Sequence, residues 1–149
     1  MRRVAALCCA AVLVACSKPE NKPAEEAAAP PTHRVSLADV AGHWTMKAMN
    51  EARDTTLVTY TMNATADTAG WTITFPNRSP IPIRVSSTDA GLVVDAGPYA
   101  SVLRRGVQVS THGVMRLEDG KLVGTTIAHY TVTTADSVRR IVTEGTRQP

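Results

Sequence analysis

The stretch VQVSTHGVMRLEDGKLVGTTIAHYTV, residues 107–132, decides the fold. At its centre Asp119-Gly120 is the dipeptide that a two-residue type I′ turn requires, because both turn residues need positive φ. With those two residues as the loop, Glu118 faces Lys121, Leu117 faces Leu122, and each further pair follows outward. Side chains alternate faces along a strand. One face therefore carries Val107, Val109, Thr111, Gly113, Met115 and Leu117 against Leu122, Gly124, Thr126, Ala128, Tyr130 and Val132. The other carries Gln108, Ser110, His112, Val114 and Arg116 against Val123, Thr125, Ile127, His129 and Thr131. The first set is the more apolar and is assigned to the core.

The same period of two recurs upstream and downstream. Trp44, Met46 and Ala48 alternate with polar neighbours, as do Val58, Tyr60, Met62, Ala64 and Ala66, and then Trp71, Ile73 and Phe75. Segments 81–86, 92–96 and 138–146 add three more strands, with Pro82 placing the first of these at a sheet edge or bulge. Residues 97–106 resist assignment, although Tyr99 and Leu103 are expected to fold over one end of the core. Ser36-Leu37-Ala38-Asp39 has the spacing of a capping box and opens one short helical turn. About eight antiparallel strands with short connections predict an all-β domain over 36–149, either an up-and-down barrel or a compact sandwich.

The segment before it has a different grammar. Arg2-Arg3, an apolar run over 4–14, Ala15 and then Cys16 follow the order of a secretory signal, and the run is too short to span a bilayer, which takes ~18 residues or more. Leu13-Val14-Ala15-Cys16 resembles the lipobox of bacterial lipoproteins. The resemblance implies that 1–15 is a signal peptide and that Cys16 becomes the lipid-bearing first residue, while Ser17 in place of Asp implies an outer-membrane address facing the periplasm. Residues 16–35, rich in Pro, Ala and Glu, read as a disordered tether with a reach of ~20 Å as a coil and ~50 Å when stretched.

Composition narrows the chemistry. The cysteines are Cys8, Cys9 and Cys16, so the domain contains no thiol for a disulfide, a nucleophile or a zinc site. The net charge of +3 from 16 basic and 13 acidic residues falls to +1 without Arg2 and Arg3, and no basic block suggests nucleic acid. Gly-x-Ser-x-Gly, His-Glu-x-x-His and a Gly-rich phosphate loop are all missing, so no enzyme and no cofactor are expected. The hairpin register makes His112 and His129 diagonal neighbours on the outer face, ~7–8 Å apart at the backbone, which makes them weak candidates for a metal that would still lack a third ligand.

Gly42-His43-Trp44 at the start of the first strand, with arginines on the last, resembles the Gly-x-Trp and terminal Arg of lipocalins and other calycin barrels. Carried over, Trp44 would plug one barrel end, and Arg139 or Arg140 would cover it. Residues 119–125 also resemble an avidin-type hairpin. Small residues in the middle of the long hairpin leave two outcomes: a filled interior, or a pocket for a small apolar ligand lined by Tyr60, Trp71, Thr111, Thr126 and Tyr130. The expected roles follow from these. One is a lipid-anchored, lipocalin-like binding module. The other is a solid barrel that docks on or inhibits an envelope protein, as lipoprotein inhibitors do on similar barrels.

Overall fold

A computed structural model describes residues 34–149; Cys16, the signal segment and the tether up to residue 33 lie outside the described residues. One helical turn, α1 (Leu37–Val40), precedes eight strands: β1 (Gly42–Met49), β2 (Thr56–Ala64), β3 (Thr72–Thr74), β4 (Ile81–Thr88), β5 (Gly91–Ala100), β6 (Gln108–Glu118), β7 (Lys121–Tyr130) and β8 (Val138–Arg147). They form a closed antiparallel barrel in chain order. Closure comes from β8 returning to β1, with Trp44 opposite Arg147 and Met49 opposite Val142. The barrel, not the sandwich, is the outcome.

The β6–β7 register is the one the turn dictates: Glu118 faces Lys121, Gly113 faces Thr126 and Val109 faces Tyr130. Asp119 and Gly120 have φ of 49° and 76°, the left-handed pair of a type I′ turn. Inward positions hold Trp44, Met46, Met62, Ile73, Val85, Leu92, Met115 and Leu122, all buried. Outward positions on the same strands carry Lys47, Arg84, Asp95, His112, Arg116 and Glu144. An apolar inside and a charged outside is the reverse of a lipid-facing barrel wall.

Several expectations are corrected in detail. The capping box does not form: Ser36 makes no side-chain cap, and Asp39 N–H donates instead to the Ser36 carbonyl. β5 runs on to Ala100 through a register shift between Ala96 and Tyr99, and that bulge breaks the alternation that would have revealed it. Pro82 faces Thr72 on one side, across a ladder of only two pairs, and β4 pairs with β5 only from Ile83 onward, so the missing N–H costs little there. Packing begins slightly before Ser36, since Val35 lies against the core and Arg34 pairs with Asp89 at 3.2 Å.

Up-and-down winding gives the barrel two unlike ends. At one end meet α1, the turn at Asp119-Gly120 and the close of β8; at the other meet the connections 50–55, 75–80, 101–107 and 131–137. The first end is sealed. Trp44 is fully buried and its Nε1 donates to the Val40 carbonyl at 2.8 Å. The Arg147 guanidinium lies 4.5 Å from the Trp44 ring centre and donates to the carbonyls of Asp39 and Ala41. Trp44 is therefore the plug, but neither Arg139 nor Arg140 covers it. β8 starts at the opposite end, so only its last residue reaches the level of Trp44.

Candidate functional site

The looped end holds the interior space. A partly open space of about 60 Å³ is lined by Tyr60, Phe75, Tyr99, Thr111, Thr126 and Tyr130, with Val102 and Leu103 also at its edge. A second void of about 30 Å³ lies deeper, beside Met62, Gly113 and Met115. Four of the residues expected around a pocket, Tyr60, Thr111, Thr126 and Tyr130, thus share one space. Trp71 does not belong to it. Its neighbour Thr72 pairs with Asn63 near the sealed end, where Trp71 is buried and its Nε1 donates to the Asp67 carbonyl at 2.6 Å. Alternation gives the face of a residue, not its height in the barrel.

Three methionines, Met46, Met62 and Met115, share the rest of the interior with Ile73, Val85, Leu92 and Leu122. A Cβ built on Gly145 would stand 2.5 Å from the Met46 sulfur, so the glycine makes room for that side chain. Thioethers adapt to such irregular spaces.

The segment over the void is pinned on several sides. Ser101 is buried; its N–H donates to the Val107 carbonyl at 2.8 Å, and its Oγ accepts the N–H groups of Leu103 and Arg104 at 3.1 and 3.0 Å. Arg78 reaches across from the β3–β4 connection to the carbonyls of Ala100 and Ser101. Arg104 lies 4.3 Å from the Tyr130 ring centre. Ser101 and Arg78 were not among the sequence candidates. The Ser-x-x-Arg spacing at 101–104 is a turn signal at best, and the reach of Arg78 depends on a contact made across 22 residues of chain.

The polar groups facing inward are hydroxyls. Thr126 and Thr143 share a hydrogen bond of 3.1 Å. Burial, with a smaller contribution from Tyr99, pushes the Tyr60 phenol well above its ordinary range. Burial also raises Tyr99, against the lowering effect of a hydrogen bond from Thr111. Both phenols stay neutral at physiological pH and can donate or accept a hydrogen bond but not supply charge.

On the outer wall His112 and His129 occupy the expected exposed positions, opposite Ile127 and Ser110. His112 Nδ1 is engaged by Asp95 Oδ1 at 2.8 Å, both side chains being largely exposed. Among the described residues, no group of three or more His, Cys, Asp or Glu is arranged to hold a metal ion. Among them also, no helix is long and apolar enough to cross a membrane. No family model, no curated protein and no solved structure matches this chain.

Proposed function

We propose that this chain is a non-catalytic interaction module, held at a bacterial outer membrane by lipid on Cys16 and facing the periplasm, whose solid barrel presents its wall and loops to another envelope protein. The supporting observation is interior volume: about 60 Å³ under the looped end, against ~300 Å³ and upward for pockets that enclose a small molecule.

One observation favours a second reading, the lipocalin-like carrier of a small apolar ligand: the space is lined by rings and hydroxyls and is partly open, with Val102 and Leu103 at its edge. A carrier would have to displace that edge and break the contacts of Ser101 and Arg78. The full-length chain separates the two readings. Titrated with 8-anilinonaphthalene-1-sulfonate, a solid barrel gives no saturable fluorescence rise, whereas stoichiometric binding that raises Tm would replace this reading with the carrier. The anchor is tested by intact mass and fractionation: Cys16→Ala should lose acyl mass and leave the membrane fraction, and unchanged fractionation would refute lipidation at that residue.

A further inference from the structure

The wall has an incomplete seam between β2 and β3. β3 is three residues long and pairs with β2 only at Thr61, Met62 and Asn63. β2 begins earlier, at Thr56, and its residues Val58, Thr59 and Tyr60 pair with Ala48, Lys47 and Met46 of β1. Across the other margin of Thr56–Tyr60, no strand partner and no backbone hydrogen bond is found among the described residues. The chain after Thr74 cannot supply one. Pro76 has no N–H, and the Arg78 N–H turns back to the Phe75 carbonyl at 3.1 Å.

Rings close this gap from within: the Phe75 centroid stands 5.2 Å from Tyr60 and 5.6 Å from Tyr99. Outside the rings an open groove of about 670 Å³ runs beside the free margin, lined by Thr59, Thr61, Thr74, Pro76, Asn77 and Arg78. Exposed strand margins usually carry Lys, Pro or a bulge that discourages pairing. Thr56-Leu57-Val58-Thr59-Tyr60 has neither Lys nor Pro, and the β1–β2 bulge lies only at its far end, between Ala48 and Met49.

The charge beside this margin is positive. Arg78 is the charged residue of the groove, and exposed Lys47 stands across from Thr59. The nearest acids along the chain belong to the 50–55 connection, not to the groove. Glu51 lies with Val138, Arg139 and Arg140 on the β8 side, and Asp54 is held by Asn50 at 2.6 Å and Thr55 at 2.8 Å.

We infer that the free margin of β2, Thr56–Tyr60 with the groove beside it, is the docking site for an extended acidic segment of a partner protein, which adds to the wall as a strand. This rests on the interaction-module reading and gives it a place. Backbone groups on the margin supply hydrogen bonds to any extended chain, and the groove selects side chains. A second copy of this chain is disfavoured, because it would set Lys47 and Arg78 of one copy against those of the other.

The test has two arms on the full-length chain. In bacterial cells, a photo-crosslinking phenylalanine analogue is placed at Thr59 or Thr61, with Arg105 and Asp136 as loop positions and Arg84 as a distant wall position. The expected result is a discrete adduct with another protein from Thr59 and Thr61 only, lost in Thr59→Asp, which keeps the fold and repels an acidic strand. In vitro, ten-residue Val-Glu and Val-Lys repeat peptides are compared by amide shifts. The Val-Glu peptide should bind about tenfold tighter and move the amides of 56–61 and 75–79. Equal binding, no binding, or shifts elsewhere would overturn the site, as would an adduct of twice the chain's own mass. Adducts from Arg105 or Asp136 alone would refute this site and leave the interaction module standing; no discrete adduct from any position would refute both.

Discussion

Arg147→Met tests how the sealed end is held. The substitution keeps an aliphatic stem over Trp44 and removes the guanidinium, with its bonds to the Asp39 and Ala41 carbonyls and its position 4.5 Å from the indole centre. A hydrogen bond from a charged donor contributes ~1.5–3 kcal/mol, and an exposed cation–π contact ~0.5–1 kcal/mol. Arg147 is exposed, which weakens each of these, so we expect a loss of about 2 kcal/mol in total, or roughly 8 °C in Tm for a domain of this size. Arg140→Met, on the outer wall at the other end, should change stability by less than ~0.5 kcal/mol. Urea unfolding followed by the fluorescence of the buried Trp44 and Trp71 reads both variants. A double-mutant cycle with Trp44→Phe should return a coupling of ~0.5–1 kcal/mol. Equal losses for Arg147→Met and Arg140→Met, or zero coupling to Trp44, would refute the assignment of Arg147 as the cover.

Gly124→Ala should lower the urea midpoint by more than Gly113→Ala, with losses of ~3 and ~1 kcal/mol. At Gly124 the new Cβ meets the Val114 carbonyl and stands 2.7 Å from the Met115 Cα, both backbone, whereas at Gly113 it meets the Thr126 hydroxyl at 2.9 Å, which can rotate away. Tyr60 and Tyr99 should ionise later than the ordinary 10.0 in an ultraviolet titration. Because the unfolded chain releases those protons first, the stability they contribute is complete below pH ~10 and falls as pH rises above it; a urea midpoint that stays flat between pH 9 and 11 would contradict their burial. Asp95→Asn should alter stability by less than ~1 kcal/mol, since its hydrogen-bonded contact with His112 is exposed, and a larger loss would show that the pair does more than decorate the wall.

The parts of this fold legible in the sequence are those fixed by neighbours along the chain. Asp119-Gly120 sets one turn, and that turn sets every pair from Glu118–Lys121 to Val109–Tyr130. The alternation of Trp44, Met46 and Ala48 likewise shows which side of β1 is buried. What was not legible depends on position across the barrel. Trp71 shares a face with Phe75 yet sits nearer the sealed end, and the covering arginine is Arg147 because strand direction, not composition, brings it level with Trp44. Gly97 and Pro98 hid the far half of β5, since a bulge erases the period of two. Interior volume was equally hidden: the gaps at Gly113, Gly124 and Gly145 could be counted, but whether Met46 or a ligand entered them depended on packing from other strands.

The domain is handled from one rim. Arg34 lies beside Asp89, and Gln148 N–H reaches the His43 carbonyl at 2.8 Å, so the described chain enters and leaves around the same Trp44-sealed floor. A fluorescent protein fused after Pro149 would hang beneath the vessel and leave its mouth clear. The connections 50–55 and 131–137 would then be free to accept grafted sequences, whereas 75–80 has to keep Arg78 on the carbonyls of Ala100 and Ser101, and 101–107 has to keep Ser101 in its socket.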